Sequence, residues 1–337
     1  MSTSVAGEFE TTTRLRGGGA EKIAIFAAKI VVTGTCFWYV SRQIDLSQVL
    51  SAIPRLEFRW AAFAVLVVML QIPLVALRWR NILGALAACG ERMTRAAMIA
   101  VSAMGVFFAQ VLPSLAGEGV RAWFLVRLGC DWRNAATSVI IDRGVGVGLL
   151  IALGFVILLL PSGLTALGGY RQLVLGVYGA LLLAGVLGLL LAPKIVPLLA
   201  RWRYSRWIAA LAADANRVLL GPKSPAILSV GCLIHALTIV VVWSLGRAQD
   251  LDLPVPDAAV LVTVMAGVAI VPISISGWGL RELAVISLLG DHGVAPEKAL
   301  LFSVCFGLTL AVGSLPGAFA WLFYPVAPSR CSAECLQ

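Results

Sequence analysis

Uncharged apolar stretches recur along the chain at Trp60–Leu77, Ala96–Gly117, Gly144–Tyr170, Gln172–Pro193, Ala226–Gly246, Ala258–Leu280 and Ala299–Ser329. Each is near or above the ~18–20 residues a helix needs to cross a hydrocarbon core. An earlier apolar stretch, Ile23–Val40, holds a single charge, Lys29. One such run is compatible with a buried helix of a soluble domain; a series of them is not. The pattern predicts an all-α polytopic membrane protein with one transmembrane domain over residues 22–326. A polar, Gly/Thr-rich tail over 1–21 is expected to be disordered and cytoplasmic, and 327–337 forms a short tail.

The charges between the runs set the expected topology. If every run crossed the bilayer, the segment from Lys194 to Lys223 would lie outside. That segment carries Lys194, Arg201, Arg203, Arg206, Arg217 and Lys223 against Asp214 alone, which violates the positive-inside rule. The conflict disappears if two broken segments enter and leave on the same side. The first is Ala96–Leu112 with Gly117–Leu128, turning at Pro113; the second is Ala258–Ile270 with Gly277–Leu289, turning near Pro272. About six full spans then remain: Ile23–Val40, Trp60–Leu77, Thr137–Leu160, Leu173–Ala192, Ile227–Leu245 and Ala299–Phe323. Both termini and the interfacial segment 194–225 are expected in the cytoplasm. Arg171 and the acidic loop with Asp250, Asp252 and Asp257 are expected outside.

The two breaks read alike: LPSLAGEGVRA from Leu112 and VPISISGWGLRE from Val271. Each runs proline, short polar turn, then Gly-x-Gly-[Val/Leu]-Arg. Each lies in a span–hairpin–span unit, over about 60–160 and 226–325, and the expected topology gives the units opposite orientation. Paired Gly/Pro-interrupted segments in an inverted repeat mark the substrate site of many transporters.

Composition narrows the function classes. Of 337 residues 60% are hydrophobic and 13% charged, against about a quarter charged in soluble domains. The net charge of +9 sits between apolar runs, so it reads as topology and not as a nucleic-acid surface. The seven cysteines and two histidines form no metal-ligand spacing; reduced thiols are expected, and no cofactor is implied. A soluble catalytic domain has no room, since the longest polar connection is about thirty residues.

The residues RWRNIL at Arg78–Leu83, LPSLAGEGVRAWFL at Leu112–Leu125, Asp142-Arg143 and VPISISGWGLRELA at Val271–Ala284 resemble the integral-membrane region of lysylphosphatidylglycerol synthases and its stand-alone, flippase-like relatives. The resemblance runs over roughly residues 20–325. It implies translocation of a lipid between leaflets, with relatives tied to aminoacylated phosphatidylglycerol, polyprenyl-linked sugars or hopanoids. It also implies residence in the inner or plasma membrane and a possible lipid-modifying or glycosyltransferase partner. The sequence stops at Gln337 with no aminoacyl-transfer domain, so lipid aminoacylation is not among the expectations.

Charges inside a bilayer cost several kcal/mol each and are functional suspects. Six qualify: Glu118, Arg121, Asp142, Arg143, Arg281 and Glu282. Helices beginning at Gly117 and Gly277 would aim free N–H groups at an anionic headgroup. Gly119 and Gly279 would let the backbone approach it, and Pro113 and Pro272 would break the helices. Arg121 and Arg281 are expected to face one cavity, one from each half. The same six charges sum to zero, so a self-neutralising network that holds bent helices together is the competing reading. An intramembrane transferase using Glu118 or Asp142 as base, or a non-transporting anchor for a lipid-modifying enzyme, are the alternative functions. His235 is expected to be packed or hydrogen-bonded, and Trp60, Trp79 and Trp321 to lie in aromatic belts at span ends.

Overall fold

A computed structural model describes residues 56–87, 93–111, 114–160, 171–199, 206–270 and 278–323. The expected first span, both chain termini, Pro113, Pro272 and Gly277 lie outside the described residues. Within them every regular element is an α-helix. In chain order these are α1 (Phe58–Ala85), α2 (Arg95–Val111), α3 (Ser114–Arg127), α4 (Trp132–Leu158), α5 (Arg171–Leu199) and α6 (Arg206–Leu220). There follow α7 (Ser224–Ala248), α8 (Val255–Ile270), α9 (Leu280–Gly290), α10 (Pro296–Gly313) and α11 (Leu315–Phe323).

Five segments are long and apolar enough to cross a membrane: α1, α4, α5 as far as Pro197, α7, and α10 continued by α11. They coincide with the five expected spans that fall in the described region. Their outward faces are apolar; Leu66 is 63% exposed, Leu190 59% and Phe323 76%. That much bare hydrocarbon marks a surface covered by lipid. The two expected broken segments appear as short helix pairs, α2–α3 and α8–α9, the latter two packed on each other.

Local chemistry explains several boundaries. α4 starts earlier than its apolar run because the Asp131 carboxylate accepts from the backbone N–H groups of Arg133 and Asn134, an N-cap that satisfies two orphan donors. Its last turn is closed by Arg171, whose Nε and Nη2 both donate to the Leu158 carbonyl at 3.0 and 2.8 Å. In α5, Pro193 has no N–H to give to the carbonyl four residues earlier. Asn216 on α6 donates to that carbonyl, Leu189, at 2.6 Å. The start of the basic segment expected at the interface is helical: Lys194 lies in α5, and α6 is tied back onto it.

The α2–α3 hairpin closes on glycine. A Cβ on Gly117 would lie 2.6 Å from the backbone N and Cα of Ala109, and one on Gly105 would strike the Arg121 stem. These pairs run in opposite senses along the two helices, so the pair is antiparallel and packed backbone to backbone. Glycine is required at both positions.

Helix α1 organises the bundle. Val67 and Val68 join a core with α4, α7, α8, α9 and α10. Trp79 and Leu83 join a second core with α2, α3 and α4. Ile82 and Leu86 join a third with α4, α6 and α7. Two further contacts rest on glycines, Gly154 also lying against Tyr178 of α5. Thr263 of α8 packs where Gly154 of α4 leaves space, 3.1 Å from its would-be Cβ, and Ala103 of α2 packs where Gly317 of α11 does the same.

Three expectations change here. Trp79 is fully buried, because it lies inside the last two turns of α1, so it belongs to no belt. Gly117 lies one turn inside α3, so its N–H is not a free helix-start donor. Among the described cysteines, Cys232 and Cys305 are free but Cys130 is in a disulfide, against the expectation of reduced thiols.

Candidate functional site

Three helices bring five charged side chains together. From α1, Arg78 Nε donates to Asp142 Oδ1 at 2.8 Å. From α3, Arg121 Nη1 donates both to Asp142 Oδ2 at 3.0 Å and to Glu118 Oε2 at 2.9 Å. Arg143, next to Asp142 on α4, donates to Glu118 Oε1. Arg78, Glu118, Arg121 and Asp142 are all buried, whereas the Arg143 side chain is half exposed. Coulomb attraction is strong at such burial, but so is the desolvation cost. Every oxygen of both carboxylates is used.

Among the described residues the network is not neutral. Three guanidinium groups face two carboxylates, an excess of one positive charge. Among the described residues, Arg121 Nε and Nη2 are buried without a partner. These two atoms form one edge of the guanidinium, the edge that grips a phosphate or carboxylate bidentately. The group is held flat by stacking over Trp79, with Cζ 4.2 Å from the ring centroid, a cation–π contact. Trp79 is fixed in turn by its Nε1–H, which donates to Ser138 Oγ at 3.1 Å.

The second Gly-x-Gly-Leu-Arg copy is built differently. Arg281 Nε and Nη2 donate to Glu282 Oε1 at 3.1 and 2.7 Å, and Nε also reaches Ser303 Oγ at 3.2 Å. The edge that is open on Arg121 is thus filled on Arg281. The Arg281 Cζ lies 4.5 Å from the Trp278 ring centroid and 5.7 Å from that of Phe306. Trp278 occupies the motif position that Glu118 holds in the first copy. Glu282 Oε2 accepts from the Gly279 N–H at 2.6 Å, so the donor at the start of α9 is already taken. Gly279 itself has φ of 87°, a conformation open to glycine. Gly119 faces open space.

The six sequence-derived charges therefore form two groups. Glu118, Arg121, Asp142 and Arg143 come together; Arg281 and Glu282 pair separately, and among the described residues no hydrogen bond or ion pair joins the groups. His235 is hydrogen-bonded to the Gly146 carbonyl at 3.0 Å.

A family model described as the lysylphosphatidylglycerol synthase TM region matches residues 26–317. The chain belongs to that family. No curated protein matches it. As a member of the lysylphosphatidylglycerol synthase TM region family with five membrane-spanning-length helices in its described part, it is an integral membrane protein related to lipid handling.

In this family member, sequence reasoning missed Arg78, Trp79 and Ser138. Arg78 falls one residue beyond the apolar run that ends at Leu77. The available signal was helical phase: Arg78 stands four residues from Ile82, on the buried side of the end of α1.

Proposed function

We propose that this chain moves a lipid, or a lipid-linked precursor, from one leaflet to the other, and that Arg121 takes the headgroup phosphate during passage. The observation that carries this reading is the unpartnered Nε/Nη2 edge of a buried arginine in a network that, among the described residues, has one positive charge to spare. A buried donor without an acceptor costs roughly 1–3 kcal/mol. A phosphate ester would satisfy two such donors and cancel the excess charge at once. Arg78 and Asp142 hold Arg121 in place, Trp79 fixes its plane, and Arg143 holds the second oxygen of Glu118. Arg281 and Glu282 act as the clamp of the second hairpin, since their hydrogen bonds are spent on each other, on Ser303 and on Gly279.

The packing of α8 on α4 and of α2 on α11 supports an inverted repeat of units 60–160 and 226–325. In that plan α2–α3 and α8–α9 are re-entrant, with irregular backbone at membrane depth sheltered by protein. Both termini and residues 194–225 are cytoplasmic, and Arg171 and Asp250–Asp257 face outward. Cysteines placed at Arg217 and Asp252 in a cysteine-free background check this on intact cells. An impermeant reagent should label position 252 alone, and labelling at 217 from outside would reverse the topology. A transferase reading is weaker, because all four oxygens of Glu118 and Asp142 are engaged by arginines and neither is poised to take a substrate proton.

The test is reconstitution in vesicles with a panel of labelled lipids. Phosphate-bearing lipids should cross faster than in protein-free controls, whereas diacylglycerol, which has no headgroup phosphate to engage Arg121 and crosses bilayers unaided, should move no faster with the protein than without it. Vesicles containing the protein that scramble no phospholipid, polyprenyl phosphate or other phosphate-bearing lipid above protein-free controls would refute the proposal. A partner enzyme that makes the transported lipid fits the reading and would be found by crosslinking in the native membrane.

A further inference from the structure

The amphipathic helix α6 meets the start of span α4 in a cleft of about 550 Å³. Its rim carries Arg133 and Arg206 with Trp132 and Trp207, and its floor runs along α4 through Thr137 to Ile140. Both arginines are exposed, and among the described residues neither is in an ion pair. Trp132 is 59% exposed and Trp207 64%. The adjacent carboxylate, Asp131, is spent on capping its own helix.

The depth profile of this cleft identifies its occupant. Trp132 opens a span of 27 residues, or ~40 Å at 1.5 Å per residue, longer than a ~30 Å hydrocarbon core. Its first turn therefore lies at the headgroup level, where tryptophan is favoured. Along the same face Arg133 is followed one turn deeper by Ala136 and Thr137, and two turns deeper by Ile140, half exposed. The cleft is cationic and aromatic at the surface and apolar below, as a lipid is anionic at its head and apolar along its chains. α6 is held in place by Val218 against Ile82, Ile141 and Val145 and by Asn216 on Leu189, so the cleft is preformed.

We infer that the α4–α6 cleft binds an anionic phospholipid, with Arg133 and Arg206 on the phosphate, Trp132 and Trp207 beside the glycerol region, and an acyl chain along Thr137 and Ile140. This site stands apart from Arg121 and does not depend on transport.

Delipidated protein in neutral detergent, titrated with phosphatidylglycerol or phosphatidylcholine and read by native mass spectrometry, tests the site. The wild type should retain phosphatidylglycerol at least about tenfold more tightly than phosphatidylcholine. Arg133→Gln with Arg206→Gln should abolish that preference, while Arg247→Gln with Lys298→Gln, an equal loss of exposed charge elsewhere, should leave it intact. Equal retention of the two lipids by wild type, or equal loss in both double variants, overturns the proposal. Inorganic phosphate that displaces the lipid at millimolar level would overturn it too, since the acyl contacts would then contribute nothing. A photoactivatable phosphatidylglycerol supplies a reading on unmodified protein. Adducts should map to the start of α4 and to α6, and adducts confined to other helices would overturn the site even if the variants failed to fold.

Discussion

Removing the Asp142 carboxylate is the most informative single perturbation of the buried network. In Asp142→Asn the side chain keeps its shape but loses its charge, and the excess on the cluster rises from one positive charge to two. Two charge-assisted hydrogen bonds are weakened, those from Arg78 Nε at 2.8 Å and Arg121 Nη1 at 3.0 Å. Breaking a buried pair by removing one partner costs about 3–5 kcal/mol, and Asp142 is 1% exposed, so solvent offers little relief. For a protein of this size that corresponds to a fall in thermal midpoint of roughly 4–7 °C, measured in detergent by loss of the monodisperse peak after heating. Pairing the change with Arg78→Met returns the cluster to one excess charge and removes one stranded guanidinium. The double variant should therefore be less destabilised than the two single effects combined, by about 1–3 kcal/mol. An unchanged midpoint in Asp142→Asn, or a double variant that loses the full sum, would refute the geometry of the network.

Other positions give sharper or milder effects. Gly105→Ala puts a methyl group into the Arg121 stem; the small-to-large change should cost about 1–3 kcal/mol and lower transport, whereas Gly119→Ala, which meets open space, should leave transport unchanged. Thermal midpoint and vesicle assays read both. Asn216→Leu frees the Leu189 carbonyl next to Pro193 and should destabilise by roughly 1–2 kcal/mol, visible as faster proteolysis between α5 and α6.

The spans were legible because bilayer thickness imposes a length on apolar runs, and the five within the described region became helices where expected. The ends of those helices were harder to read. α1 runs on to Ala85, past the end of its apolar run at Leu77, which carries Arg78 into the helix and up to Asp142. Trp79 went with it, from a supposed belt to the plate under Arg121. α4 begins at Trp132 because Asp131 caps it, a local signal that charge-free stretches do not contain. The two glycine motifs looked equivalent, yet they differ at one position, Glu118 against Trp278, and at the residue after the arginine, Ala122 against Glu282. Those differences leave the Arg121 edge open and fill the Arg281 edge. Sequence alone shows the substitutions but not which guanidinium edge each partner takes, since that depends on Asp142 and Ser303 arriving from other helices.

Headgroup capture rests on the open edge of Arg121, and Arg121→Lys in reconstituted vesicles tests it most directly. Lysine keeps the positive charge near Glu118 and Asp142 but cannot present the planar fork. With folded yield held to that of wild type, transport of a labelled phosphate-bearing lipid should fall at least about tenfold, the order expected when ~1.4 kcal/mol or more of headgroup binding is lost. Folded Arg121→Lys protein that transports the lipid at the wild-type rate would contradict bidentate phosphate recognition by Arg121.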